Sequence, residues 1–140
     1  MKVILPRSGL ELIVSHSLAQ RPLEACGLIA GAVLGDEKRV VKVYVLKNLD
    51  ESRVHFTVDQ REQLSAVKDM RAKGLTPLGN FHSHPDTPAR PSEEDIRLSF
   101  DPKASYLILS LAGPDPVLKS FRVDRDKGLA EEEPVEIGEG

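Results

Sequence analysis

His82-Ser83-His84-Pro85-Asp86-Thr87-Pro88-Ala89-Arg90-Pro91-Ser92-Glu93-Glu94-Asp95 is the stretch on which the reading of this chain turns. Histidines at i and i+2 project from the same face of a β-strand. The apolar run Leu78–His84 therefore predicts a strand that offers both imidazoles to one ion. Ser92-Glu93-Glu94-Asp95 predicts the opening of a short helix, because Ser-x-x-Asp is a helix-start pattern with Ser92 as N-cap and Asp95 near the positive end of the dipole. Asp95 is also placed to supply a third, oxygen ligand. Two neutral nitrogens and one carboxylate leave a position open on zinc, which suits a catalytic site better than a structural one. The two duties compete for Asp95, since a carboxylate bound to zinc cannot also fold back fully onto the N-cap amide. The ligand duty is favoured because a two-histidine site needs a third protein ligand. For Ser92 they are compatible: its backbone starts the helix while its hydroxyl faces the site. Pro85, Pro88 and Pro91 stiffen the intervening loop and pre-set the distance from strand to Asp95.

Outward from this stretch, strands and helices interleave. Lys2–Leu5 reads as a short strand. Ser8 is placed as the N-cap of a first helix with Leu10, Ile13, Val14 and Leu18 at helical spacing, ending near Arg21-Pro22. Cys26–Leu34, small and apolar, predicts a buried strand, and Asp36-Glu37-Lys38 a turn into the alternating strand Val40–Leu46. Asp59–Lys73 carries Leu64, Val67, Met70 and Arg71 at helical spacing and stops at Gly74. Tyr106–Leu111 and Val117–Val123 read as two closing strands around the Gly113-Pro114-Asp115-Pro116 turn. The fold class is α/β: a single domain with a central mixed β-sheet flanked by helices. The domain is expected to span residues 1–130. Residues 131–140 read as an acidic tail that frays, or that pairs as an edge strand through Val135 and Ile137.

The chain has 140 residues, 40% hydrophobic and 29% charged, with a formal net charge of −3. That is ordinary for one globular domain with a real core. No Lys/Arg run of the kind that neutralises phosphates is present, which argues against nucleic acid as a partner. Cys26 is the single cysteine, so no intramolecular disulfide forms, and a reducing compartment fits. MKVILP is too short an apolar run for a secretory signal, and Leu10–Ala19 contains Glu11 and His16, so no membrane span is expected. A cytoplasmic location is expected. Neither a monomer nor a homodimer is selected.

The motif resembles that of the JAMM (MPN+, Mov34-type) zinc metalloproteases: a distant Glu, then His-Ser/Thr-His-Pro, then Ser-x-x-Asp. Glu24, His82, His84, Ser92 and Asp95 fill its five positions, and the resemblance runs from about Leu5 to Val123. It implies a JAMM/MPN architecture like that of the cytidine deaminases. It also implies Zn2+ on His82, His84 and Asp95, with Glu24 as general base toward the attacking water. Ser92 would donate a hydrogen bond to the oxygen that becomes negative. Taken alone, Glu24 would read as a solvated residue at a strand entrance. The chain looks like the small bacterial and archaeal members. That likeness implies hydrolysis after the C-terminal Gly-Gly of a ubiquitin-like or sulfur-carrier protein, whose tail would be the partner.

Cys26 reads as a small buried hydrophobe, Asn80 as a neighbour on the His82 face, and His16 and His55 as surface residues. A zinc deaminase needs His-x-Glu and Pro-Cys-x-x-Cys, which are missing. A metallo-β-lactamase would carry His where Thr87 stands. The alternative is a non-catalytic MPN-type scaffold that retains a zinc site.

Overall fold

The computed structural model describes residues 1–140 other than His55 and Phe100. The strands are β1 (Lys2–Pro6), β2 (Cys26–Leu34), β3 (Glu37–Leu46), β4 (Thr76–His84), β5 (Ser105–Ser110), β6 (Val117–Asp124), β7 (Leu129–Glu133) and β8 (Val135–Gly138). The helices are α1 (Arg7–Gln20), α2 (Gln60–Ala72) and α3 (Glu93–Leu98). One eight-stranded mixed sheet runs in the order β7-β6-β5-β4-β2-β3-β1-β8. The β4–β5, β1–β3 and β1–β8 pairs are parallel and the others antiparallel. The expected α/β class with a helix-flanked mixed sheet is what the chain adopts.

Alternation along the strands sorts the core. Ile13 of α1 is buried with Val3, Leu5, Ile29, Val43, Phe81, Leu107 and Leu109 on one face. Ala66 and Met70 of α2 cover Ala30 on the other. Lys38 on β3 bonds Ser105 on β5, although β2 and β4 lie between these strands in the sheet order, so the sheet curls around α1. Two bulges interrupt the alternation. Leu78 is the extra residue against Ile29-Ala30, and Val41 against Ala30-Gly31. The first bulge lets Leu78 and Phe81, three residues apart, enter the same core.

Helix starts and faces differ from the sequence reading in detail. Pro6, not Ser8, occupies the N-cap of α1 and gives no side-chain cap. Its fixed φ of −64° leads β1 straight into the helix. The buried line of α1 is Gly9, Ile13 and Ser17, and Leu18 is 48% exposed. Gly9 allows the close approach, since a Cβ there would sit 3.0 Å from Leu5 Cδ1. On α2 the small Ala66 makes the contact and Leu64 points out. Asp59 caps α2 through Arg61 N at 2.8 Å. The β2–β3 turn is the left-handed Gly35 with Asp36, so Glu37 and Lys38 join the strand.

The acidic segment 131–140 supplies the end of β7, paired with β6, and all of β8, paired with β1. Val135 and Ile137 pack against the core around α1, and Glu133 is buried. The boundary expected at residue 130 therefore falls inside β7. Among the described residues no helix is long and apolar enough to cross a membrane.

Candidate active site

β4 delivers His82 and His84 to one end of the sheet, and α3 brings Asp95 to them. His82 Nε2 lies 3.1 Å from His84 Nε2. Asp95 Oδ2 is 3.2 Å from His82 Nε2 and 3.1 Å from His84 Nε2. These three form a group compatible with a metal site. His84 Nδ1 lies 2.9 Å from the Pro88 carbonyl, to which it donates, and this turns Nε2 inward. Pro88 itself comes from the stiff loop, which Ser110 holds by donating its hydroxyl to the Thr87 carbonyl at 2.6 Å.

The electrostatics of the group ask for positive charge at its centre. Burial works to raise the Asp95 carboxyl, yet the hydrogen bonds from His82 and His84 outweigh it and hold Asp95 well below the usual carboxylate range. Burial works to lower His84, yet the Asp95 and Pro88 partners outweigh that too and raise it above 6.5. A carboxylate oxygen and two imidazole Nε2 atoms turned toward one another form a donor set that fits a divalent cation.

Asp95 makes the capping contact with the same carboxylate that faces the two imidazoles. Ser92 N donates to Asp95 Oδ2 at 2.9 Å while Ser92 Oγ accepts from Asp95 N at 3.0 Å, a complete capping box. The Oδ2 atom that takes the N-cap amide is the one that faces the two imidazoles. One carboxylate oxygen has lone pairs enough for both, so the cap orients the carboxylate instead of removing it. Ser92 Oγ accepts from the backbone, which leaves its hydroxyl proton free to donate.

Glu24 is brought in by sheet register. Cys26 pairs with His82 in the antiparallel β2–β4 ladder, so two residues further on Glu24 comes level with His84. Ala25 N donates to Ser83 Oγ at 2.8 Å, and Ser83 N donates to the Ala25 carbonyl at 2.9 Å. Asn48 Nδ2 donates to the Glu24 carbonyl at 3.0 Å, and Glu24 N donates to Ser52 O at 2.7 Å. Glu24 is only 2% exposed, not the solvated residue of the bland reading. Its Oε1 has no hydrogen-bond partner among the described residues. Burial pushes its carboxyl up to about 8, with His84 pulling it down and Asp95 and Glu94 adding to the rise.

An apolar groove of about 820 Å³ leads away from His82 and Asp95 along the α2-side face of β4, past Asn80, Leu78 and Pro77. Phe56 and Val58 form one wall and Leu98 of α3 another. Asn80 lines the groove and makes no hydrogen bond to either imidazole. Cys26 is fully buried, and burial pushes its thiol up to about 12, so it is inert. His16, expected at the surface, is half-buried; its Nε2 lies 3.3 Å from the Leu46 carbonyl and its ring meets Phe81 edge-on. His55 lies outside the described residues. Sequence reasoning missed Phe56, whose ring stacks on His82 at 5.0 Å, and Asn48, which holds Glu24. Both come from a loop with no periodicity to read.

Comparison with known proteins agrees with this geometry. The family described as prokaryotic homologs of the JAB domain matches residues 6–124, and the chain belongs to it. With the fold and site, that makes it a JAMM-type hydrolase. It is 33% identical over 128 residues to the CysO-cysteine peptidase of Mycobacterium tuberculosis, covering 91% of this chain and 85% of that protein. It is 33% identical over 94 residues to a desampylase of Pyrococcus furiosus, covering 67% and 64%. The solution structure of a Desulfitobacterium hafniense protein superimposes with a TM-score of 0.89 at 51% identity, covering 100% of this chain and 94% of that one.

Proposed function

We propose that this chain is a zinc-dependent peptidase or isopeptidase that cuts after the C-terminal Gly-Gly of a ubiquitin-like or sulfur-carrier protein. The observation that carries the reading is the convergence of His82, His84 and Asp95 beside a buried Glu24. His82 Nε2, His84 Nε2 and Asp95 Oδ2 would hold the metal. Zinc bound there would act as a Lewis acid that polarises the scissile carbonyl and brings the pKa of a water to about 7. The Glu24 carboxylate takes the proton of the attacking water and returns it to the leaving amine. Burial raises the affinity of this carboxyl for a proton, which suits it to hold the proton between the two steps. The Ser92 hydroxyl, already positioned by the cap, donates to the oxygen that becomes negative. Against the scaffold alternative stand the buried Glu24 beside the His82, His84 and Asp95 group and the relatives named as peptidase and desampylase.

The substrate class rests on the relatives' names and on the groove. An extended tail of small residues can lie along β4 between Phe56 and Leu98 without side-chain clashes. Selectivity would come from docking the carrier's globular part beside it. The lone, inert Cys26 suits the reducing conditions of a cytoplasm, where such carriers would be met. The test is a small ubiquitin-like protein with an extension after Gly-Gly. Cleavage should fall at that junction, stop with a chelator and slow strongly when the second Gly becomes Val. Equal cutting of the Val substrate, or ready degradation of casein, would leave a broad peptidase as the better reading.

A further inference from the structure

The two histidines are held in different ways. His84 has the Pro88 carbonyl behind it at 2.9 Å, the usual device for fixing a ligand imidazole. His82 Nδ1 is buried and has no hydrogen-bond partner among the described residues. Phe56 stacks on the His82 ring with centroids 5.0 Å apart and planes inclined 30°, whereas the His84 ring, 4.9 Å away, is tilted by 55°. Phe56 in turn is anchored. Thr57 N donates to Asn48 Oδ1 at 3.1 Å, Leu49 N donates to the Thr57 carbonyl at 2.8 Å, and Asn48 bridges Val58. The same Asn48 is buried and donates to the Glu24 carbonyl at 3.0 Å. One loop therefore touches both the ligand His82 and the backbone of Glu24.

We infer that Phe56 is a positioning residue for the metal centre, fixing the His82 imidazole by ring stacking where His84 is fixed by a hydrogen bond. The χ2 of an aromatic ring is broad by itself, and at His82 no hydrogen bond to Nδ1 narrows it. Offset stacking of two rings supplies that restraint. Loss of an outer partner of a ligand histidine typically weakens metal binding 10–100-fold. Phe56 also lines the groove, so a purely steric role toward substrate is the competing account. That role would change KM and leave metal affinity alone.

The inference rests on the metal reading above, and its test reads metal directly. Zinc dissociation constants are measured on the full chain by competition with a chromophoric chelator, for wild type, Phe56→Ala, Phe56→Leu and Phe56→Tyr. We expect Ala and Leu to weaken zinc binding about tenfold and Tyr to stay near wild type. If Phe56→Ala does not fold, the Leu and Tyr pair decides alone. Equal affinity in Leu and Tyr, or a raised KM with unchanged zinc affinity, overturns the inference. A wild-type chain without zinc affinity overturns the metal reading and this inference together.

Discussion

Two buried polar clusters lie at opposite ends of β5, and they are built on opposite plans. At the Ser110 end, level with His84, Asp95 Oδ2 and the two imidazole Nε2 atoms lie 3.1 to 3.2 Å from one another, and Glu24 Oε1 stays unpaired among the described residues. At the Ser105 end, donors meet acceptors in sequence. Lys38 Nζ donates to the Lys103 carbonyl at 2.6 Å and to Ser105 Oγ at 2.8 Å. Ser105 Oγ donates to Glu133 Oε1 at 2.5 Å, and Ser120 Oγ donates to the same oxygen at 2.8 Å. Lys38 and Glu133 balance each other in charge, and the chain of bonds ties β3, β5, β6 and β7 where the sheet curls closed. The difference teaches how to tell a structural polar core from a reactive one. Both keep one buried carboxylate oxygen without a partner among the described residues, Glu133 Oε2 and Glu24 Oε1, so what marks the structural one is the Lys38 ammonium that balances its charge.

The contrast breaks most readily at Glu24. Glu24→Gln keeps shape and leaves the ligands untouched, so zinc content should hold while hydrolysis falls on the order of 10²–10⁴. Loss of metal in that variant would make Glu24 a ligand and the assigned role wrong. Ser92→Ala should bind zinc and lose turnover on the order of 10²–10³. A purely capping Ser92 would instead cost about 1 kcal/mol of stability with turnover per folded molecule unchanged. Melting and rate measured on one preparation separate the two.

The Ser105 end should answer in stability alone. Glu133→Gln leaves the buried Lys38 ammonium without its counter-charge and should cost about 3 kcal/mol in urea unfolding. Zinc content per folded molecule should not change; if it does, the two clusters are not independent. A smaller effect sharpens the Ser110 end in metal-free protein. The Glu24 carboxyl rises from 4.5 to about 8 on folding, so its contribution is fully present below about pH 4.5 and lost as pH rises through about 8. Glu24→Gln removes that slope. The variant should therefore gain stability on wild type as pH rises from 5 to 9. Parallel curves would mean that Glu24 is not desolvated.

Local patterns in the sequence were enough for most of the fold and for the gathering of His82, His84 and Asp95. The period-two placement of His82 and His84, the Ser92–Asp95 spacing and the strand Cys26–Leu34 all survive in the structure. What the sequence left unread depends on three dimensions. Leu18 and Leu64 keep helical spacing yet stay exposed, because small residues at Gly9, Ser17 and Ala66 decide which helix face comes close. The Lys38–Glu133 cluster joins strands that only the curl brings together. Val135 and Ile137 sit in a charged segment whose parallel partner, β1, is at the far end of the chain. Phe56 and Asn48 come from a loop whose contacts to His82 and Glu24 leave no trace in spacing.

The central claim is that His82, His84 and Asp95 hold one zinc per chain. Elemental analysis of purified wild type beside the His82→Ala/His84→Ala double variant tests it most directly. The account predicts one equivalent of zinc in the wild type and almost none in the variant, with both folded by circular dichroism. Equal zinc in the two, or none in either after reconstitution, would contradict it.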